Sequence, residues 1–127
     1  MYPLLKVIDK DFSVFLNQRI TSISSVGKEL FNIFFEKGNI NVECTWRLRN
    51  NNKIVIACSD YLKNPDIIND LNTKLIGREM INIVLFEPTD DLVIEFDNEI
   101  YLDLLADSSL YESYQIYLNK QLFYIGN

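Results

Sequence analysis

The chain has no histidine among its 127 residues. That absence removes the usual general base at neutral pH, the Ser–His and Cys–His nucleophile pairs, and the commonest metal ligand. Only two cysteines occur, Cys44 and Cys58. They form no C-x-x-C pattern and no disulfide framework, and each sits within apolar alternation. Both therefore read as buried, inert thiols of a reducing compartment. The four glycines make neither a G-x-x-x-x-G-K-[ST] nor a G-x-G-x-x-G pattern, so no phosphate cradle is encoded. No apolar run is long enough to cross a bilayer, and Met1-Tyr2-Pro3-Leu4-Leu5-Lys6 lacks the apolar segment and cleavage site of a signal peptide. The expectation is a cytoplasmic, non-enzymatic domain with no membrane span, no catalytic residues, no cofactor and no metal.

A further absence concerns charge. Glu79 to Asn119 contains no lysine or arginine. The same stretch carries ten carboxylates: Glu79, Glu87, Asp90, Asp91, Glu95, Asp97, Glu99, Asp103, Asp107 and Glu112. The other residues hold eight acids and all twelve bases, so a local −10 and a local +4 make the net −6. Like charges held together cost stability. One explanation is a solvated face that keeps the chain soluble; the other is a surface that meets something basic. Nucleic acid is disfavoured as a direct ligand, because phosphate binding needs clustered Lys and Arg. Asp90-Asp91 and Asp97/Glu99 lack the oxygen spacing of a Ca²⁺ loop. A glycosidase needs only two carboxylates, but with ten present a close pair is expected by chance.

What is present is apolar and aromatic. Hydrophobic residues make up 48%, including eight Phe and seven Tyr. Such a chain folds, and its length suits one domain that buries about two thirds of its unfolded surface. Leu4, Leu5, Ile8, Phe12, Phe15 and Leu16 recur at steps of three and four, which predicts a helix over 4–16. From Arg19 the period falls to two. Strands are expected over 19–25, 31–35, 40–48 and 53–58, with turns at Val26-Gly27-Lys28, at Glu36-Lys37-Gly38-Asn39 (Gly at a positive φ) and at Asn50-Asn51-Asn52. Asn64-Pro65 then opens one amphipathic helix carrying Ile67, Ile68, Leu71 and Leu75, with Gly77 at its end.

After that helix the strand pattern returns in the same order. Ile20 and Ile23 align with Met80 and Ile83 at an offset of 60, and Phe31-Ile33-Phe35 with Leu92-Ile94-Phe96 at 61. Ile40-Val42-Cys44 aligns with Ile100-Leu102-Leu104 at 60; Trp46-Arg47-Leu48 and Ile54-Val55-Ile56 align with Tyr114-Gln115-Ile116 and Leu122-Phe123-Tyr124 at 68, across a loop inserted around 105–111. The predicted fold is mainly β (α+β). Two four-stranded antiparallel meanders related by internal duplication pack as a sandwich or a partly open barrel, with one connecting helix and an N-terminal helix. The single domain then divides into a segment 1–18, a β repeat 19–60, a helix 64–77 and a β repeat 78–127.

Parity decides the geometry of the second hairpin. If Leu92, Ile94 and Phe96 face inward with Ile100, Leu102 and Leu104, the loop is Asp97-Asn98-Glu99, Glu95 stands opposite Tyr101, and Val93 opposite Asp103. Glu95, Tyr101 and Asp103 then point outward, with Asp97 and Glu99 at the tip. In the first half the outward set is Asn32, Phe34, Asn41 and Glu43. Acids interleaved with Tyr on a rigid hairpin suit a protein-binding surface.

Each half thus reads as a strand, a turn, a Phe31-x-Ile33-x-Phe35 or Leu92-x-Ile94-x-Phe96 strand, a return strand and an aromatic-led hairpin; the second ends on Tyr111-Glu112-Ser113-Tyr114-Gln115-Ile116. Over Arg19 to Asn127 this resembles small bacterial proteins of duplicated β-domain type. Several of these are similar to immunity proteins encoded beside toxins of contact-dependent or other polymorphic systems. The resemblance implies a monomer that binds one cognate toxin domain 1:1 and covers its active site; it implies no shared contact positions. A nuclease toxin has a basic cleft, which an acidic surface can plug. The expected contacts are Glu95, Asp97, Glu99, Tyr101 and Asp103, flanked by Asp90, Asp91, Asp107, Tyr111 and Glu112. Two other readings stay open: a small apolar ligand enclosed by Phe15, Phe34, Tyr61, Phe86 and Phe123, or an assembly module that pairs through a strand edge.

Overall fold

Alternation of apolar and polar residues organises the chain from Ile20 to its end. The computed structural model describes residues 11–26, 30–108 and 110–127. Ten strands are present among them: β1 (Ile20–Ser25), β2 (Phe31–Phe35), β3 (Gly38–Val42), β4 (Thr45–Asn50), β5 (Lys53–Ala57), β6 (Met80–Phe86), β7 (Asp91–Phe96), β8 (Ile100–Leu105), β9 (Tyr114–Leu118) and β10 (Gln121–Gly126). Two short helices, α1 (Cys58–Lys63) and α2 (Ile67–Leu75), separate β5 from β6. The strands form two antiparallel five-stranded sheets, ordered β1-β2-β3-β9-β10 and β5-β4-β8-β7-β6.

Each half therefore contributes five strands, not four, and divides them between both sheets. The stretch 40–48, expected as one strand, breaks at Glu43-Cys44, where the chain leaves one sheet for the other. Val42, Cys44, Trp46 and Leu48 are all buried. Parity survives the corner, which is why alternation alone does not reveal it. The second crossing, between β8 and β9, uses the longer segment 106–113.

The two sheets repeat one another in register. Ile23 pairs with Ile33 as Ile83 pairs with Ile94, and Leu48 pairs with Ile56 as Ile116 pairs with Tyr124. Bulges recur too, between Ile20 and Ser22 and between Met80 and Asn82. One correspondence shifts: Gly38, Ile40 and Val42 pair as Ile100, Leu102 and Leu104 do, so the β3-to-β8 offset is 62. Here the turn between β2 and β3 is only Glu36-Lys37, and Gly38 opens β3 without a positive φ. Gly38 is required by space: a Cβ there would lie 2.2 Å from the Tyr117 carbonyl oxygen on β9.

The helical expectations also change. Residues 1–10, most of the N-terminal helix, lie outside the described residues. Phe12–Phe15 form a 3-10 turn, with Asp11 accepting from the Ser13 N–H at 2.9 Å. The connecting segment holds two helices because Cys58 leaves the strand to start α1, and the Asp60 carboxylate accepts from the Ala57 N–H at 2.8 Å. Asn64 accepts from the Asp66 N–H, so it shapes the turn between the helices rather than capping α2. Gly77 does end that segment, at φ +86°.

Inward side chains of both sheets merge into one core with Phe15, Tyr61, Leu71 and Leu75. Phe31 of one sheet meets Trp46 of the other edge-on, with ring centres 5.1 Å apart. Burying each large apolar side chain contributes about 1.5–3 kcal/mol against leaving it exposed. The tight turns gather at one end, where Asn51, Asn98, Glu99, Asn119 and Lys120 all take positive φ. At the other lie the links 43–44 and 87–90 and the described residues of 106–113, with Glu43 bonded to Ser113, Asp107 to Thr45 and Asp90 to Tyr114.

A candidate protein-binding surface

The predicted hairpin forms as parity requires. Glu95 is opposite Tyr101, Val93 opposite Asp103 and Phe96 opposite Ile100, around Asp97-Asn98-Glu99. On the far side of β8, however, stands β4, with Arg47 opposite Asp103 and Arg49 opposite Tyr101. Both arginines donate from Nε to the same oxygen of Asp103, at 2.7 and 2.8 Å. Arg49 also stacks 4.3 Å above the Tyr101 ring, and the Tyr101 hydroxyl donates to Glu95 at 3.3 Å. Asp103 was expected as an exposed contact, but its side chain is only 3% exposed, closed over by the guanidiniums. The sequence segregates these charges; the strand order brings them back together.

At the turn end acids again meet bases. Glu79 lies 3.6 Å from Arg19, and Asp97 lies 3.9 Å from Arg78 while accepting from the Glu79 N–H. Glu99 accepts from the Asn51 side chain at 2.6 Å.

The opposite end has another character. Its links carry Glu43, Glu87, Asp90, Asp107 and Glu112, with Asp91 at the start of β7, and hold no lysine or arginine among the described residues. Asp90 was expected as a contact but is buried as an internal fastener. Its side chain accepts from the Tyr124 hydroxyl at 2.9 Å and the Asn127 N–H at 3.1 Å, and its carbonyl from the Tyr114 hydroxyl at 2.8 Å. Asp91 accepts from the Ala106 N–H at 2.8 Å, and Asp107 from both the backbone N–H and the hydroxyl of Thr45. Glu87 and Glu112 are exposed, and Glu112 accepts from Gln115 at 3.0 Å.

Burial, with the neighbouring acids adding to it, raises two titratable groups at this end. The Cys44 thiol is pushed up to about 12, first by burial and then by Asp107. The Tyr124 hydroxyl is raised by burial, by its bond to Asp90 and by the charges of Asp90 and Glu87. Apolar groups project beside the acids. Leu110 is 82% and Tyr111 74% exposed, and Ser108 Oγ accepts from both of their backbone N–H groups at 3.1 and 3.0 Å. Phe86, paired with Asp91, is also exposed.

The ten singled-out residues thus fall into three groups. Glu95, Tyr101 and Asp103 share a face with Arg47 and Arg49. Asp97 and Glu99 sit at the turn end. Asp90, Asp91, Asp107, Tyr111 and Glu112 sit at the end that carries the links. Sequence reasoning missed Leu110 and the arginine pair; Arg47 and Arg49 do alternate outward, but nothing local says that β4 lies beside β8. Among the described residues no three Asp, Glu or Cys side chains group as a metal site requires. Of the aromatics considered for an enclosed ligand, Phe34 and Phe86 are exposed, Phe15 and Tyr61 are buried, and Phe123 packs against Phe12 and Phe15.

Fold and surface define a class: a mainly β chain of two antiparallel five-stranded sheets, with an acidic, apolar-tipped loop at one end and no long apolar helix among its described residues. No protein-family model, curated protein or solved structure matches the chain.

Proposed function

We propose that this chain is a protein-binding module of the immunity type, which neutralises a basic, nuclease-type toxin domain by occluding its active site 1:1 in the bacterial cytoplasm. The observation that carries this is the end formed by the links. Exposed Leu110 and Tyr111 lie between Asp107 and Glu112, in the link whose Ala106 N–H donates to Asp91, with no base among that link's described residues. A projecting Tyr with an apolar neighbour inside an acidic rim has the makings of a hot spot. Aromatics supply contact energy, and surrounding charge speeds encounter with a basic partner.

The contact set follows from which acids flank the exposed Leu110–Tyr111 pair. Glu112, Tyr111, Asp107 and Asp91 are central in this reading. Glu95, Asp97, Glu99 and Asp103 act within the fold. Repetition of register and bulges supports an internal duplication packed face to face, with the loop 106–113 as the feature the second copy added. The test is pull-down from the cells of origin, followed by co-expression with the toxin-type domain that it recovers; recovery of no basic protein partner contradicts the proposal. Wild type should rescue growth and co-purify with that domain, while Leu110→Ser with Tyr111→Ala should lose both. Rescue unaffected by that pair of changes contradicts the assignment of the surface.

A further inference from the structure

The two sheets treat one equivalent position differently. β10 stands in its sheet as β5 does in the other: Tyr124 pairs with Ile116 as Ile56 pairs with Leu48. In the first case the position is covered. Phe12 lies 5.7 Å from Phe123 and 5.8 Å from Tyr124, and Phe15 lies 4.9 Å from Phe123, ring centre to ring centre. In the second case the covering element is α2, which precedes β6 as the Phe12–Phe15 turn precedes β1. At the offset of 60 that relates Ile20 to Met80, Asn72 corresponds in sequence to Phe12. Asn72 is engaged elsewhere: its side chain accepts from the Ile23 N–H at 3.2 Å and donates to the Ile68 carbonyl at 3.0 Å.

Between β5 and the two helices lies an open groove of about 650 Å³, its apolar lining Val55, Ile56 and Ile67. It runs into a second chamber of about 350 Å³ that shares Val55, Thr73 and Lys74 and adds Arg78, Asn50 and Asn98. Charge differs between the chambers. The first contains Asp60, Asp70, Lys63 and Lys74. The second contains Arg49, Lys74 and Arg78 and no carboxylate, in a chain of net −6. Arg49 is committed to Asp103 and to the Asn51 carbonyl; Arg78 donates to the Lys74 carbonyl at 3.3 Å and lies 3.9 Å from Asp97, on the hairpin tip beside Asn98. The Lys74 ammonium has no hydrogen bond or ion pair among the described residues.

We propose that this trough binds a small amphipathic anion, with an aromatic-sized apolar body on Val55, Ile56 and Ile67 and an anionic head between Lys74 and Arg78. The combined space has the size of small-ligand sites, which pair apolar walls with a few placed polar groups. The site lies apart from the acidic loop, so it stands or falls independently of the toxin reading.

The test is a fluorescence titration of the full-length chain with 1-anilinonaphthalene-8-sulfonate, an anionic aromatic probe, and with uncharged N-phenyl-1-naphthylamine. The expected result is one saturable site for the sulfonate, with the neutral probe about tenfold weaker or more, as loss of a charge contact implies. Lys74→Glu should weaken the sulfonate by a similar factor, and Val55→Trp should fill the groove and abolish binding. Both residues are exposed, so the fold persists, which a cooperative urea transition verifies in both variants and the near-ultraviolet signal of buried Trp46 verifies in Lys74→Glu. Absence of a saturable site, equal affinity for the two probes, or wild-type affinity in both variants would overturn the proposal.

Discussion

Asp103 shows how much one carboxylate can organise. A single oxygen receives two guanidiniums, which ties β8 to β4 across the outer face. Removing one partner from a buried pair costs about 3–5 kcal/mol, and the value here is smaller, about 2–3, because both arginines reach water. Asp103→Ala should lower the urea midpoint accordingly while leaving partner binding of the folded fraction intact; unchanged stability would show that the pair contributes nothing. The hydroxyls of Tyr114 and Tyr124 are raised above their ordinary value, chiefly by burial, and the Cys44 thiol rises to about 12. These groups favour their protonated forms in the folded state. The stability they contribute is complete below their unfolded values, about 9 for the thiol and about 10 for the tyrosines, and declines as pH rises beyond those points. Denaturant unfolding followed from about pH 8 to about pH 11 should show that decline, with a shallower slope in Tyr124→Phe. A flat profile would contradict the burial of these groups.

Among the elements, hairpins were the most legible in the sequence. The β7–β8 pair follows from parity and a three-residue turn, because a period of two leaves one register that keeps Leu92, Ile94, Phe96, Ile100, Leu102 and Leu104 on one side. What did not follow was the corner at Glu43-Cys44, since side-chain alternation continues through it, or the short turn before Gly38. The glycine looked like a turn residue, whereas it serves a close approach to β9. Gly38→Ala should therefore disrupt the junction of β3 and β9, costing about 1–3 kcal/mol as overpacking does. The melting temperature would report it, and an unchanged value would refute that account of the glycine. The sheet order was beyond local patterning altogether, and with it the arginine partners of Asp103. The same gap explains the candidate surface: ten acids were visible, but which of them face bases is a property of strand neighbours.

For the whole molecule, the folded chain converts a charge gradient along the sequence into a gradient between two ends. Turn-end acids meet Arg19 and Arg78, while the links at the other end keep their acids without described bases. An interface built there gains from long-range attraction, so its association rate should fall as salt rises from about 0.05 to about 0.5 M, because exposed charges are screened within a Debye length. Stopped-flow or surface-binding kinetics would measure this, and a salt-independent rate would argue against a charged interface. The most direct measurement is the dissociation constant for the proposed toxin-type partner, captured by pull-down from the cells of origin, compared between two variants of this chain. Tyr111→Ala with Glu112→Lys, at the loop, should weaken binding by about a hundredfold or more, in the range of hot-spot losses. Asp97→Asn with Glu99→Gln, at the hairpin tip, should leave it within about threefold of wild type, as rim changes do. The reverse ranking would contradict the claim that the protein acts through its acidic loop.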